Sequence, residues 1–394
     1  MIKKKIVVFA GTRPEAIKVI SVVRALRAAH EHFDVCLCSV GQHREMLMQA
    51  FADFGVTPDA SLDVMSQNQT LAGLSARLFT AIDEFLATHS PDIVLVQGDT
   101  MTVQVAALVA FYRRIRVGHI EAGLRSHDMA APFPEELNRR VASLVTDVHF
   151  APTELSKSNL LAEQVPAERI FVTGNTVVDA LYLMLERLKR EHVALPDRVE
   201  AALAEGRRIV LVTGHRRESF GPGFENICTA LRKIAETHPD ARIIYPVHMN
   251  PKVREVVNRV LSNQASIYLE EPLTYKPFLR LMAASHIILT DSGGIQEEGP
   301  ALGKPVLVMR DVTERPEGVM SGVNKLVGTN VNAIVGETTR LLNDKVAYQA
   351  MSAGNNPFGD GTAGEKIVAI LKGMFGPDRN APAKTRPAAA MPSG

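Results

Sequence analysis

Several signatures of common protein classes are missing from this sequence of 394 residues, which has three cysteines and no tryptophan. Cys36, Cys38 and Cys228 form neither a CxxC pair nor a metal-ligand spacing, and unpaired cysteines of this kind are typical of the reducing cytoplasm. The sequence also has no large excess of charge of one sign, because its 44 Lys and Arg residues nearly balance its 43 Asp and Glu residues. That balance argues against a nucleic-acid or membrane-surface binder.

Long apolar runs and the commonest catalytic motifs are absent as well. The apolar run at residues 6–10 is too short for a signal peptide, and no run approaches the length of a transmembrane helix. The sequence contains no P-loop, no GxGxxG after the first predicted strand and no GxSxG. We therefore expect no P-loop ATP hydrolysis, no bound dinucleotide, no serine triad and, without paired histidines, no metal.

The chain instead alternates short apolar runs with amphipathic stretches, which predicts an α/β fold of two Rossmann-like domains with parallel sheets facing a central cleft. Predicted strands begin at Lys5, Phe33, Asp92, Ile115, Asp147 and Arg169, and again at Arg208, Arg242, Ser266, His286 and Pro305. We expect domains at 1–190 and 208–375, joined by a linker at 191–207. The last helix, 364–374, is a candidate to pack back across the cleft. The Pro- and Ala-rich tail 376–394 is expected to be disordered.

The unusual residues follow the predicted strands. They lie at 11–15, 41–45, 97–100, 119–123, 213–218, 246–251, 291–298 and 309–317. Ligands of open parallel sheets bind at the carboxyl ends of the strands, so these eight loops predict an active site rather than a purely structural protein.

The stretch 289–298 follows a buried strand with Ser292, Gly293 and Gly294 before a helix predicted at 295–302. Ser292 can cap that helix, the glycines let a diphosphate approach the backbone, and Glu297 and Glu298 can grip a sugar diol. An ordinary strand-to-helix turn remains the alternative at this point.

The other loops supply charged candidates. Arg13 is a candidate phosphate clamp, and Lys18, one turn further, is either a second clamp or a solvated lysine. Proton donors and acceptors are expected among Asp99, Glu121, Glu135 or Glu136, and His215.

Seven motifs together closely resemble the non-hydrolysing UDP-N-acetylglucosamine 2-epimerases. They are Gly-Thr-Arg-Pro-Glu-Ala-Ile-Lys (11–18), Gly-Gln-His-Arg-Glu-Met (41–46), Gln-Gly-Asp-Thr (97–100), His-Ile-Glu-Ala-Gly-Leu-Arg (119–125), Pro-Glu-Glu-Leu-Asn-Arg (134–139), Thr-Gly-His-Arg-Arg-Glu (213–218) and Thr-Asp-Ser-Gly-Gly-Ile-Gln-Glu-Glu (290–298). The resemblance runs in order from about residue 5 to 370 and implies a glycosyltransferase-B type of fold. It implies reversible conversion of UDP-N-acetylglucosamine to UDP-N-acetylmannosamine, through loss of UDP to a 2-acetamidoglucal and re-addition, without a cofactor.

The resemblance also implies roles for individual residues. Asp99, Glu121 and Glu135 would do proton and charge work, with His215 near the diphosphate. The residues that would hold UDP are Arg13, His215, Ser292, Gly293, Gly294, Glu298 and Arg315, with Lys18 as a further candidate. Phe278 would pack near the uracil or, equally, in the core.

A second, activating UDP-N-acetylglucosamine site would involve Gln42, His43, Gln69, Arg216 and His248, although Asn68 stands where some members carry Arg. The resemblance further implies a cytoplasmic homodimer that serves polysaccharide synthesis. A hydrolysing 2-epimerase that releases UDP and N-acetylmannosamine, a glycosyltransferase and a catalytically inactive nucleotide-sugar binder remain alternatives, because they share the fold.

Overall fold

The protein is described by a computed structural model that covers residues 2–41, 44–64, 69–214 and 221–376. Its described residues form two compact units. Unit 1 consists of the described residues within Met1–Thr176 and Thr362–Gly394, and unit 2 consists of those within Val177–Gly361.

Unit 1 alternates strands with helices. Its elements are β1 (Lys4–Ala10), α1 (Arg13–Ala28), β2 (Phe33–Val40), α2 (Arg44–Asp53), β3 (Ala60–Leu62), α3 (Leu71–His89), β4 (Ile93–Gln97), α4 (Met101–Tyr112), β5 (Arg116–Ile120), α5 (Glu135–Val145), β6 (Val148–Ala151), α6 (Glu154–Ala162) and β7 (Ile170–Val172). The seven strands form one parallel sheet in the order β3-β2-β1-β4-β5-β6-β7. Strands such as β4 are buried along their whole length, as expected for a parallel sheet covered on both faces.

Unit 2 repeats the pattern. Its elements are α7 (Thr176–Leu188), α8 (Asp197–Ala204), β8 (Arg208–Thr213), α9 (Pro222–Thr237), β9 (Ala241–Pro246), α10 (Pro251–Leu261), β10 (Ile267–Glu270), α11 (Tyr275–Ala284), β11 (Ile287–Thr290), α12 (Ile295–Ala301), β12 (Val306–Val308), α13 (Pro316–Met320), β13 (Asn324–Leu326), α14 (Val331–Asn343) and α15 (Lys345–Ser352). The parallel strand order is β10-β9-β8-β11-β12-β13.

The last described helix, α16 (Ala363–Phe375), belongs to unit 1 although it follows unit 2 in the chain. It packs on α1, where a Cβ on Gly364 would lie 2.9 Å from the carbonyl carbon of Ser21. The Phe375 ring lies 5.6 Å from the Lys4 ammonium and 5.5 Å from the Arg116 guanidinium, both at the start of strands in the unit 1 sheet. Close packing and these cations hold α16 against the first unit.

The predicted α/β class is confirmed, and all eleven predicted strands are present. The three-residue strands β3 and β13 were not predicted. The chain passes from unit 1 to unit 2 at residue 176 rather than near 190, since Val177 and Val178 pack with Phe358 of unit 2. Helix α8 occupies part of the segment predicted as a linker, and the predicted tail lies almost entirely outside the described residues.

Within the described ranges, no helix combines the length and the apolar character needed to cross a membrane.

Candidate active site

The strand order of the unit 1 sheet reverses between β1 and β4, which are adjacent although α1, β2, α2, β3 and α3 separate them in the chain. Such a switch point opens a crevice at the carboxyl ends of the strands. The loops after β1, β4 and the neighbouring β5 begin at Gly11, Gly98 and Glu121. Three of the predicted motifs therefore meet at one edge of this sheet.

Glu121 is held in place by three side chains. It is 6% exposed and adopts a φ of +64°, a conformation that is rare for a residue with a Cβ. The Lys18 Nζ lies 2.7 Å from both carboxylate oxygens, Asn175 Nδ2 donates to Oε1 at 3.1 Å, and Gln97 Nε2 donates to Oε2. Lys18, predicted as a phosphate clamp or a solvated lysine, thus forms a mostly buried ion pair.

Asp99 is held by α5. The Arg139 guanidinium donates to its carboxylate, and Asn138 Nδ2 donates to its backbone oxygen at 2.9 Å. Arg139 also donates to Glu136 at 3.2 Å, while the Ser126 backbone N–H donates to the same Glu136 oxygen at 3.0 Å. Glu136 is therefore a fully buried structural residue, whereas Glu135, the first residue of α5, is partly exposed.

Glu15 is a buried carboxyl group that sequence reasoning missed as a site residue. Its Oε2 accepts the backbone N–H groups of Gly11 at 2.7 Å and Thr12 at 2.6 Å, and its Oε1 accepts the Thr100 hydroxyl at 2.5 Å. Burial raises the pKa of Glu15 to about 7, against the lowering effect of these hydrogen bonds. The spacing Thr12-x-x-Glu15 of a capping box was the available sequence signal.

Two neutral histidines support this edge of the sheet from within. His119 and His149 are paired across β5 and β6 and are almost completely buried. Burial lowers the pKa of His119 to about 4 and that of His149 to about 3. The His119 Nε2 lies 2.7 Å from the Gly98 carbonyl oxygen, which can only accept, so His119 donates to the residue before Asp99.

The turn between β11 and α12 in unit 2, and the helix that follows it, differ from the prediction in two respects. Ser292 does not cap α12, whose N-cap is Gly294 without a side-chain hydrogen bond. Ser292 lies two positions too early, and its backbone instead accepts from Gln296 Nε2 at 3.2 Å and donates to Thr290 Oγ1 at 3.0 Å. The helix ends at Ala301 rather than Leu302.

Arg315 lies directly over Gly293. A Cβ on Gly293 would be 2.8 Å from Arg315 Nη1, whereas a Cβ on Gly294 would meet nothing closer than 3.8 Å. Arg315 Nε donates to the buried Glu297 at 2.7 Å. Burial alone would raise the pKa of Glu314, but Arg315 and Arg310 outweigh it and hold the pKa at about 2. The glycine therefore makes room for a guanidinium fixed by carboxylates.

The remaining predicted residues are spread over both units. Arg13 is the exposed first residue of α1, and Phe278 is a partly exposed residue of α11. Glu298, 8% exposed, accepts the Tyr275 hydroxyl at 3.4 Å. Of the predicted second site, Gln69 accepts from Arg77, and His248 Nδ1 accepts the Asn250 backbone N–H at 3.1 Å. Gln42, His43, His215 and Arg216 lie outside the described residues.

Comparison with known proteins identifies the family. A family model described as UDP-N-acetylglucosamine 2-epimerase matches residues 24–372. This chain belongs to that family. The UDP-N-acetylglucosamine 2-epimerase of Escherichia coli K12 is 50% identical over 375 residues, which is 93% of this chain and 98% of that protein. The family predicted from the seven motifs is thus confirmed.

Solved structures of 2-epimerases agree with the fold. The crystal structure of the Neisseria meningitidis UDP-GlcNAc 2-epimerase, bound to UDP-GlcNAc, has a TM-score of 0.85 and 44% identity and covers 93% of this chain and 99% of that one. The Methanocaldococcus jannaschii enzyme, in complex with UDP-GlcNAc and UDP, has a TM-score of 0.77 and 36% identity, with the same shares covered.

Proposed function

We propose that this 2-epimerase inverts C2 of UDP-N-acetylglucosamine by eliminating UDP and adding it back, without releasing it. The C2 proton is not next to a carbonyl group, so its direct removal is very slow. In the proposed route a base takes the C2 proton, the C1–C2 double bond of 2-acetamidoglucal forms, and UDP leaves with the electron pair of the C1–O bond. Re-addition of UDP at C1 and of a proton to the other face of C2 gives UDP-N-acetylmannosamine.

The fixed carboxylate of Glu121 is the observation that carries this proposal. An ammonium 2.7 Å from both oxygens favours the ionised form, which is the form that accepts a proton or stabilises a positively charged sugar. Asp99, at the end of the adjacent strand, and Glu135, at the N-terminus of α5, complete the set of proton groups. Two faces of the ring must be served, so more than one carboxyl group is required.

We propose a set of residues for the retention of UDP. Arg13, Arg315, Gly293, Gly294, Ser292 and Glu298 form the proposed set, with His215 near the diphosphate and Phe278 near the uracil. The support is physical: Gly293 admits the Arg315 guanidinium, and the exposed Arg13 lies at a helix N-terminus, where phosphate is favoured. Lys18 is better placed to keep Glu121 charged than to bind phosphate.

Isotopes test the elimination. Turnover of UDP-N-acetylglucosamine in D₂O should place deuterium at C2 of the product and, on reversal, of the substrate. Oxygen-18 placed in the C1–O bond should scramble into the non-bridging positions of the β-phosphate, because released UDP can rotate before it re-adds. Epimerisation without either change would contradict the route.

A hydrolysing epimerase is the second candidate, because the same carboxylates could activate water for attack at C1. The amount of free UDP over time separates the two. A non-hydrolysing enzyme leaves UDP at a trace level at equilibrium, whereas a hydrolysing one releases one UDP for each sugar converted.

We further propose a second nucleotide-sugar site that activates the enzyme, comprising Gln42, His43, Gln69, Arg216 and His248. The binding of both UDP-GlcNAc and UDP by the M. jannaschii enzyme supports room for two nucleotides in this family. Turnover of pure UDP-N-acetylmannosamine should show a lag that a trace of UDP-N-acetylglucosamine removes. An immediate linear rate from the pure compound would argue against the site.

A homodimer is also proposed. Phe133, Leu137 and Leu144 of the 131–145 region are 66%, 39% and 84% exposed, and Tyr112 at the end of the adjoining α4 is 67% exposed. Exposed large apolar side chains on neighbouring elements are a feature of protein interfaces. Sedimentation equilibrium should give about twice the mass of one chain, and Leu144→Glu should weaken the association. A monomer at micromolar concentration would refute the dimer.

A further inference from the structure

Glu15 has one carboxylate oxygen more than its own helix needs. At the start of α1, the Glu15 N–H donates to Thr12 Oγ1 at 3.4 Å, and Glu15 Oε2 accepts the N–H groups of Thr12 and Gly11. A capping box at a helix N-terminus accounts for these local bonds. It does not account for Oε1, which accepts the hydroxyl of Thr100, 85 positions further along the chain.

Thr100 donates its hydroxyl to Glu15 and makes no helix-capping hydrogen bond of its own. It is the N-cap residue of α4, where a threonine side chain normally accepts a backbone N–H from the first turn. Thr70 and Thr153 make that bond at the N-caps of α3 and α6. Thr100 does not make that bond, and its hydroxyl donates to Glu15 instead. The contact therefore replaces a local interaction that the sequence would otherwise favour.

A second observation shows how closely the two loops approach each other. A Cβ on Gly11 would lie 2.2 Å from Thr102 Oγ1, so the loop after β1 fits against the first turn of α4 only as glycine. Both segments leave adjacent strands at the switch point of the unit 1 sheet. The hydrogen bond and the close packing fix one loop relative to the other.

We propose that the bond between Glu15 and Thr100 is a tether that positions Asp99 for the reaction. This inference rests on the catalytic role proposed above for Asp99, the residue before Thr100. Arg139 and Asn138 of α5 hold Asp99 from one side, and the tether fixes its backbone from the α1 side. Glu15 and Thr100 are then positioning residues, which act through Asp99 without contacting the sugar.

The tether is suited to neutral pH. Burial raises the pKa of Glu15 to about 7, so both protonation forms of the carboxyl group are populated near neutrality. The two backbone N–H groups can only donate, and both bind Oε2. A hydroxyl at position 100 can donate a hydrogen bond to an ionised Oε1 or accept one from the O–H of a protonated Oε1, so the contact between the loops survives in either form.

Thr100→Val tests the tether. Valine keeps the shape of threonine and removes the hydroxyl, and no helix-capping bond is lost because Thr100 makes none. In the full-length enzyme we expect kcat to fall about tenfold to 100-fold, since a misplacement of about 1 Å costs roughly 10²-fold. The affinity for UDP, measured by calorimetry, should change less than about twofold, because Asp99 is not among the proposed UDP ligands.

Two companion variants serve as controls for the fold. Thr100→Ser keeps the hydroxyl, so its kcat should return to near the wild-type value. Thr100→Ala removes the same bond with less bulk and should reproduce the loss if the valine variant is unstable. A similar kcat for the serine and alanine variants would overturn the tether.

Asp99→Asn separates failure of the tether from failure of the proposed mechanism. If Thr100 acts through Asp99, then Thr100→Val should cause no further loss of kcat in the Asp99→Asn background. An additive loss, or full kcat in Thr100→Val beside an impaired Asp99→Asn, overturns the tether alone. Full turnover in Asp99→Asn overturns the role of Asp99 and the tether with it.

Discussion

Replacing Lys18 with Met should destabilise unit 1 through Glu121. Methionine preserves most of the length of the side chain and removes the ammonium that lies 2.7 Å from both Glu121 oxygens. The carboxylate cannot turn towards water, because its side chain is 3% exposed and its backbone is fixed at the end of β5. The substitution therefore leaves the Glu121 carboxylate buried without the cation that compensates its charge.

The size of the effect follows from what remains around the carboxylate. Removing one partner of a buried ion pair typically costs about 3–5 kcal/mol, because the other charge stays buried. Asn175 and Gln97 still donate to Glu121, so we expect the lower end of that range, about 3 kcal/mol. A solvated lysine, the alternative that the sequence left open, would cost less than about 0.5 kcal/mol.

A double-mutant cycle measures this coupling. The free energy of unfolding, from urea titration followed by circular dichroism, is compared for wild type, Lys18→Met, Glu121→Gln and the double variant. Glutamine removes the charge and can still hydrogen-bond Asn175, so Lys18→Met should cost about 2 kcal/mol less in the Glu121→Gln background. An equal cost in both backgrounds would show that Lys18 does not stabilise Glu121, and the reasoning from burial would be wrong.

Three further predictions concern other parts of the site. Gly293→Ala should displace the Arg315 guanidinium, and the affinity for UDP should fall about tenfold by calorimetry, as for the loss of one charge-assisted hydrogen bond; unchanged affinity would remove Arg315 from the UDP site. Arg13→Ala should weaken UDP binding by a similar factor, whereas Lys18→Met should leave it nearly unchanged. His149→Leu should make the enzyme less sensitive to acid. Folding lowers the pKa of His149 from 6.5 to about 3, so the neutral histidine costs no stability above pH 6.5. Between pH 6.5 and about 3 the wild type loses stability at about 1.4 kcal/mol per pH unit, because the unfolded chain binds a proton that the folded one does not. The same pH dependence of urea midpoints in wild type and variant would contradict this.

The strands were predictable where the chain itself supplies the signal. Runs such as residues 93–96 are apolar and buried on both faces, so composition and burial agree. The segments Ala60–Leu62 and Asn324–Leu326 have three residues each and little β propensity. They become strands because the preceding edge of each sheet, at β2 and β12, offers them a backbone partner. That cause is tertiary and is not visible in a short window of sequence.

The sequence proposes candidate site residues, but it could not predict the contacts among them. Lys18 and Glu121 lie 103 positions apart, and they meet because the sheet places β1, β4 and β5 side by side. Strand order decides that pairing, and neither the spacing after Arg13 nor the motif around Glu121 contains it. The prediction that Ser292 caps α12 was wrong for a local reason, since the helix begins only after Gly294.

These contacts also determine how much positive charge is available to the catalytic carboxylates and how much to the diphosphate. The Lys18 ammonium is committed to Glu121, and Arg315 already shares its guanidinium with Glu297 and Glu314, so neither brings a full unit of charge to a diphosphate. Arg13 is exposed at the N-terminus of α1, where the helix dipole adds to its charge. In the proposed site, Arg13, helix N-termini and backbone N–H groups would hold UDP without the strongest ion pairs. Moderate electrostatic binding of this kind suits the proposed reaction, in which UDP leaves C1, stays bound beside the glycal and adds back.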